Sequence, residues 1–167
     1  WFPKKANNDL VIYVPSNYVF EEVSIENGVG RVDIDYIKTN ELELDLGTGQ
    51  VSLNKLNVYE EASIDGGAGE VIIKDGSIND LDLDMGIGRV ELNLKITGKS
   101  EINAGIGEME LLLLGNINDY KVNVNKGIGT IKVDGVNLDD STTYGEGINT
   151  INIDGGIGNI NIDFENI

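Results

Sequence analysis

The chain has 167 residues, of which 40% are hydrophobic, 22 are glycine and 2 are proline. Globular proteins contain about 7% glycine on average, so glycine is enriched about twofold. Twenty-nine acidic against 12 basic residues give a net charge of -17, which disfavours nucleic acid and anionic lipid as partners. The absence of cysteine and histidine excludes thiol catalysis, His-dependent triads and zinc sites built on these residues.

The first segment, residues 1–8, is predicted to be an N-terminal linker or a juxtamembrane remnant. The sequence begins at Trp1 rather than methionine, and the run from Trp1 to Lys5 suits either the exit from an upstream membrane helix or a ragged domain edge. The sequence contains no signal peptide and no membrane-spanning run. Residues 9–22 follow, and their apolar stretch Leu10–Val14, closed by Pro15, predicts an N-terminal capping strand.

Over residues 23–147 a G-x-G motif recurs, with first glycines spaced by 19, 20, 19, 19, 22 and 20 residues. The seventh copy is interpreted as Gly147-Ile148-Asn149, in which asparagine, the non-glycine residue most tolerant of positive φ, replaces the second glycine. The predicted structural corners are Gly28, Gly30, Gly47, Gly49, Gly67, Gly69, Gly86, Gly88, Gly105, Gly107, Gly127 and Gly129.

Apolar and polar residues alternate on both sides of each motif, which predicts strands with one buried face. No helical apolar pattern persists. Stacking equivalent positions at ~4.8 Å should produce core ladders. The ladder three residues before the motif comprises Ile25, Leu44, Ile64, Leu83, Ile102 and Val124. The looser return sections carry Ile37, Leu56, Ile78, Ile96 and Ile117, which would form a third side.

These patterns predict an all-β fold over residues 9–167: a single-stranded parallel β-solenoid, or β-helix, of about seven coils with ~20-residue repeats. Residues 148–167 are expected to form a C-terminal cap, in which an irregular eighth copy at Gly156 and the side chain of Phe164 cover the last coil. A bulky residue at Gly86 or Gly105 should break a corner, with asparagine the best tolerated replacement.

The G-x-G motif does not indicate a cofactor. Dinucleotide binding needs a third glycine and a following helix, and both are missing. Calcium β-rolls place an aspartate after G-G-x-G-x, whereas the nearest match, Gly66–Val71, has valine there. We therefore expect no cofactor and no specific calcium site.

An acidic ladder precedes the glycines by two residues and comprises Glu26, Asp45, Asp65 and Asp84, followed by Asn103 and Asn125. Stacked carboxylates repel unless a cation or water lies between them, so Asp45, Asp65 and Asp84 are candidates for non-specific cation binding. The alternative, which we favour, is a solvated edge whose side chains cap the glycine turns.

Catalysis has little support in the sequence. Stacked acids could reach the ~5 Å separation of a retaining glycosidase pair simply because they repeat. The two arginines, Arg31 and Arg89, lie in different repeats and share no site. We predict a protein that is not an enzyme, without catalytic residues.

The segments Val11–Pro15, Val23–Gly30 and Tyr120–Gly129 resemble the bacterial family of unknown function called DUF4097, often labelled adhesins. The similarity covers residues ~9 to 165. It implies a single-stranded, toast-rack-like β-solenoid, often the extracytoplasmic part of a membrane-anchored protein of Gram-positive bacteria. Relatives are linked to cell-envelope stress regulation, and the family brings no catalytic motif.

The expected function is a non-catalytic extracytoplasmic scaffold or adhesin-like binding module of a bacterial cell envelope. Its partner would be a protein or a cell-surface glycan, and the full-length protein would be membrane-anchored at the cell surface. The alternative functions are a sensor or partner domain in envelope-stress signalling and, with less support, a glycan-active enzyme.

Overall fold

A computed structural model of the chain describes residues 10–139 and 141–166. The expected linker over 1–8 lies outside the described residues. These residues form eleven strands and a single turn of 3-10 helix at Ile117–Asp119. The strands are β1 (Phe20–Ile34), β2 (Ile37–Leu53), β3 (Leu56–Ile73), β4 (Gly76–Asn79), β5 (Leu81–Thr97), β6 (Lys99–Leu114), β7 (Tyr120–Asn125), β8 (Ile128–Val133), β9 (Val136–Leu138), β10 (Thr142–Tyr144) and β11 (Asn149–Glu165). The described residues include no helix with the length and hydropathy of a membrane span.

The long strands stack in parallel, one coil on the next, with equivalent positions of the repeat in register. Gly30 pairs with Gly49, Gly49 with Gly69, and the series continues through Gly88 to Gly107. Each long strand passes through its G-x-G motif, so the motif bends a continuous strand rather than ending it. The predicted all-β parallel solenoid is confirmed.

The core consists of the apolar ladders that the alternation predicts. Leu44, Ile64, Leu83 and Ile102 are each at most 1% exposed. Burial of one such side chain stabilises the fold by about 1.5–3 kcal/mol. Because equivalent positions stack in register, the buried side chains of successive coils form one continuous core. The third side exists in the middle coils: Ile37 stacks on Leu56, and Ile78 stacks between Val58 and Ile96, all of them buried. Ile117 instead lies in the 3-10 helix.

The order of the coils differs from the order of the sequence. Strand β11 lies between β6 and the coil formed by β7 and β8, and is parallel to all three. Gly158 pairs with Gly107 on one side and with Gly129 on the other. The predicted C-terminal cap over 148–167 is therefore wrong: this segment supplies an internal coil.

The interpretation of Gly147-Ile148-Asn149 as a corner is also wrong, since Gly156-Ile157-Gly158 is the motif of this coil. Gly147 donates its N–H to the carbonyl of Tyr120 at 2.9 Å. A Cβ at Gly147 would overlap the backbone of Asp119 and Tyr120. Glycine is needed there because the two backbones approach closely. Asn149 begins β11, which forms the inserted coil.

The two ends of the solenoid are built differently. At the far end, β7 pairs with the antiparallel β10, and β8 pairs with the antiparallel β9. These short strands cover the terminal coil, which is formed by β7 and β8, so its residues Val122 and Val133 are 0% exposed. The segment 120–144, predicted as repeat, thus supplies both a coil and its cap.

The predicted N-terminal cap over 9–22 is wrong for its described part. Residues 10–19 form no strand, and residues 20–22 belong to β1. Leu10 is 85% exposed and Tyr13 is 92% exposed, so this run does not cover the first coil. Pro15 has no N–H to donate and accepts from the N–H of Tyr18 in a turn, which separates the apolar run from β1.

Candidate binding surface

The corner glycines are required for two physical reasons. The second glycine of each true motif has a φ between +142° at Gly30 and +156° at Gly69. This lies far from the left-handed region near +57° that asparagine tolerates. At Gly107 an added Cβ would also overlap the carbonyl oxygen of Gly88 in the coil below. The first glycines are crowded too: a Cβ at Gly86 would overlap the carbonyl oxygen of Gly67, so the tolerance expected for asparagine there is not supported.

The residue between the two glycines points outward, and these residues form one continuous line along the solenoid. We call this line the corner ridge: Val29, Thr48, Ala68, Ile87, Ile106, Ile157 and Ile128, in spatial order. Within the stack Ile87, Ile106 and Ile157 are 57%, 50% and 50% exposed. Aliphatic side chains therefore face solvent over several neighbouring coils. A contiguous apolar surface of this kind is typical of a contact site.

Sequence reasoning missed the corner ridge, although its signal was present. Four of the motifs read Gly-Ile-Gly. A corner needs only glycine backbones, so an aliphatic residue recurring between them was the available indication.

The acidic ladder lies directly beside the corner ridge. Asp45 pairs in register with Asp65, and Asp65 with Asp84, so the predicted stacking of these carboxylates is observed. Asn103 donates its Nδ2 to Oδ1 of Asp84 at 2.6 Å. Neutral amide donors thus relieve one end of the ladder. Among the described residues, no group of three or more acidic side chains converges on a possible metal position.

The inserted coil, formed by β11, continues this pattern. Asp154 takes the equivalent position in β11, between Asn103 and Asn125. Asn125 donates its Nδ2 to Oδ1 of Asp154 at 2.7 Å. The sequence order had placed Asn103 next to Asn125. In the structure the carboxylate of Asp154 lies between the two amides, and Asn125 supplies the hydrogen-bond donor to it.

On the other side of the corner ridge lies a charged network centred on Arg89. Its Nη2 contacts Glu110 at 2.9 Å and Glu91 at 3.0 Å, and its Nη1 lies 3.8 Å from Glu70. Gln50 donates to Glu70 at 2.6 Å, which extends the network by one coil. The hydrogen bond to Glu110 is the main cause that raises the pKa of Arg89.

Arg31 belongs to a separate pair. Its Nε donates to Asp33 at 2.7 Å on the same strand, and this hydrogen bond is the main cause that lowers the pKa of Asp33. The two arginines therefore share no site, as predicted. Both lie beside the corner ridge but in different coils, Arg31 in the first coil and Arg89 in the fourth.

Two concave regions lie on the described surface, and both are open grooves. One runs along the corner ridge beside Ile106, Ile157 and Ile128, over the glycine backbones. The other follows β5, β6 and β11, and its lining mixes polar residues such as Glu91 and Glu110 with apolar residues such as Leu112. Apart from the network around Arg89, the charged groups described above follow the repeat as ladders.

Comparison with known proteins gives one positive result. No curated protein and no solved structure matches the chain. Residues 3–163, nearly the whole sequence, match the family described as Toastrack DUF4097. The stacked coils and G-x-G corners are the fold that the resemblance of residues 9 to 165 implied. The chain belongs to the Toastrack DUF4097 family.

Proposed function

We propose that this protein is a non-catalytic binding module, an extracytoplasmic scaffold of a bacterial cell envelope that contacts its partner through the corner ridge. The observation that carries the proposal is the exposure of Ile87, Ile106 and Ile157 in adjacent coils. Fold stability does not explain an isoleucine at these positions, because half or more of each side chain faces solvent. Contact with a partner does explain it.

The chemistry beside the corner ridge defines the kind of partner. Asp45, Asp65 and Asp84 flank it on one side, and the chain carries a net charge of -17. A partner surface that combines aliphatic side chains with lysine or arginine would complement both features. A protein surface fits this description better than a neutral glycan. We therefore place a protein partner first and a cell-surface glycan second.

The test is retention of partners from solubilised envelope by the immobilised chain. We expect the triple variant Ile87→Ser, Ile106→Ser, Ile157→Ser to lose the proteins that the unaltered chain retains, and raised salt to weaken their retention. Val136→Ser is the matched control, since Val136 is 56% exposed and lies off the corner ridge. Equal retention by the triple variant would refute binding through this surface.

The alternative functions make different predictions. A sensor or partner domain in envelope-stress signalling should retain a membrane protein through the corner ridge. A glycan-active enzyme should release new reducing ends from envelope polysaccharide, and loss of this activity on substitution of the stacked acids would contradict the non-catalytic proposal. Protease treatment of intact cells that express the full-length protein tests the proposed cell-surface location.

A further inference from the structure

Within the part of the chain that the structure describes, the first coil leaves one end of the solenoid open. Among residues 10–139 and 141–166, β1 pairs only with β2, so the backbone donors and acceptors of its outer edge have no strand partner. At the opposite end the terminal coil is covered by β9 and β10. An uncovered edge of 15 residues is a template for another strand.

The core is also incomplete at this end. Val23, Ile25, Val32 and Ile34 face the interior but are only partly buried. The equivalent residues of the second coil, Leu42, Leu44, Val51 and Leu53, are between 0% and 3% exposed. The difference arises because β2 has a coil on both sides and β1 has a coil on one side. A further layer would bury the apolar face of β1 as the others are buried.

We propose that a second copy of this chain covers the open end, with the two β1 strands paired antiparallel about a twofold axis that bisects their corners. About such an axis, the part of β1 that precedes the corner in one copy lies on the part of β1 that follows the corner in the other copy. Inward-facing side chains stay inward. The inference is independent of what the corner ridge binds.

The sequence of β1 is complementary to itself in this arrangement. Opposed residues of antiparallel strands point to the same face, so core residues must lie opposite core residues. The inward positions are Val23 and Ile25 before the corner and Val32 and Ile34 after it. Passing the axis between Gly28 and Val29 places Val23 opposite Ile34 and Ile25 opposite Val32, which closes the core.

The charges agree with the same register. It places Glu26 opposite Arg31 of the second copy, on the outer face, and the symmetry forms this pair twice. Both side chains are exposed, and within the described residues Arg31 uses Nε and Nη2 on Asp33 while Nη1 makes no hydrogen bond. Edge strands carry charges that prevent indiscriminate pairing. Here Glu26 and Arg31 would favour pairing with β1 of a second copy that runs antiparallel.

The dimer would be closed and of modest affinity. The described residues of each copy present one open end and one capped end, so pairing through β1 consumes this free edge and stops at two copies. The net charge of -17 on each copy opposes association, as does Glu22, which lies opposite Asp35 at the outer ends. The two corner ridges would meet at Val29 and form one longer ridge.

Sedimentation velocity of the whole chain over a concentration series tests the proposal. We expect a species of twice 18.1 kDa to form as concentration rises. Arg31→Glu and Glu26→Arg each place like charges opposite one another twice, and should weaken the dimer about tenfold. The double variant restores opposite charges and should restore dimerisation. Both residues are exposed, so circular dichroism should report an unchanged fold.

Asp65→Arg is the matched control: Asp65 stacks two coils from Glu26, in register through Asp45, and its substitution in an internal coil should leave the dimer intact. A chain that remains monomeric at every concentration overturns the proposal. A dimer that the double variant does not rescue overturns the register. A dimer that is unaffected by either charge reversal but disappears when residues 1–19 are removed overturns it in favour of pairing through the N-terminal segment.

Discussion

Asn149 accepts a hydrogen bond from the backbone N–H of Gly98 at 3.1 Å, across 51 positions of sequence. Its Nδ2 donates to the carbonyl of Asp119 at 3.0 Å. Gly98 lies just before β6, and Asp119 lies just before β7. The side chain of Asn149 therefore joins the start of β11 to the coils on both sides. It marks the point where β11 inserts between β6 and β7.

The inserted coil predicts the effect of a C-terminal truncation. Removal of residues 149–167 takes away buried Ile151, Ile153, Ile160 and Ile162 and separates β6 from β7. We expect loss of the cooperative thermal transition, measured by circular dichroism, because several side chains worth about 1.5–3 kcal/mol each disappear. Removal of residues 1–19 is the control and should leave the transition in place, since Leu10–Val14 is exposed. A folded truncated chain would contradict the assigned coil order.

The corner glycines predict a graded series of alanine substitutions. Gly107→Ala combines a φ of +149° with overlap on Gly88 and should cost more than about 4 kcal/mol or prevent folding. Gly30→Ala has a φ of +142° but no close atom, and should cost about 1–3 kcal/mol. Gly28→Ala meets no atom within 4 Å and should be nearly neutral. Urea denaturation at low protein concentration measures the series, and equal losses at all three sites would refute the steric argument.

The strands, their period and the core ladders could be predicted from the sequence because each depends on a local pattern. The order of the coils could not, because the ladders repeat and any coil offers nearly the same edge to any other. Order is selected by particular contacts, such as those of Asn149 and the pairing of Asn125 with Asp154. The indication in the sequence was the spacing of nine residues between Gly147 and Gly156, too short for a further coil.

The binding surface was predictable only in part. The glycine corners and the stacking of Asp45, Asp65 and Asp84 follow from the period. The exposed isoleucines and the Arg89 network depend on which side chains project beside the corner. That direction is set by the glycine conformation, which reverses the alternation: inward residues have odd numbers before the first corner and even numbers after it.

The Arg89 network predicts a salt-dependent loss of stability. Arg89→Gln leaves Glu70, Glu91 and Glu110 without their shared cation, and the melting temperature should fall by a few degrees at low salt. Raised salt should narrow this difference by screening the remaining repulsion. Lys55→Gln is the matched control, because Lys55 pairs with Asp75 alone at 2.6 Å and should matter less. A larger effect at high salt would exclude the electrostatic cause.

The acidic ladder predicts a stabilising substitution. Asp65 lies between Asp45 and Asp84, so Asp65→Asn removes one charge and supplies an amide donor, as Asn103 does for Asp84. We expect a gain of about 0.5 kcal/mol, measured by urea denaturation. Calcium should raise the melting temperature no more than potassium chloride of equal ionic strength. A gain specific to calcium that disappears in Asp65→Asn would instead establish cation binding.

Buried Tyr120 predicts how stability changes at alkaline pH. Its side chain is 0% exposed and donates its Oη to the carbonyl of Leu114 at 2.7 Å. Burial raises the pKa of Tyr120 above the ordinary value of 10.0, because the anion would lose its hydration. The folded chain therefore holds this proton more tightly than the unfolded chain does. The resulting stability is present below about pH 10 and is lost as the pH rises through the folded pKa.

The measurement is the free energy of unfolding as a function of pH, together with tyrosinate absorbance. One of the six tyrosines should ionise last, together with unfolding. Tyr120→Phe should reduce the alkaline loss of stability, although it also leaves the carbonyl of Leu114 without its donor, at a cost of about 1 kcal/mol at neutral pH. Tyr13→Phe is the control, since Tyr13 is 92% exposed and should change neither quantity. An unchanged alkaline profile in Tyr120→Phe would show that another group governs the transition.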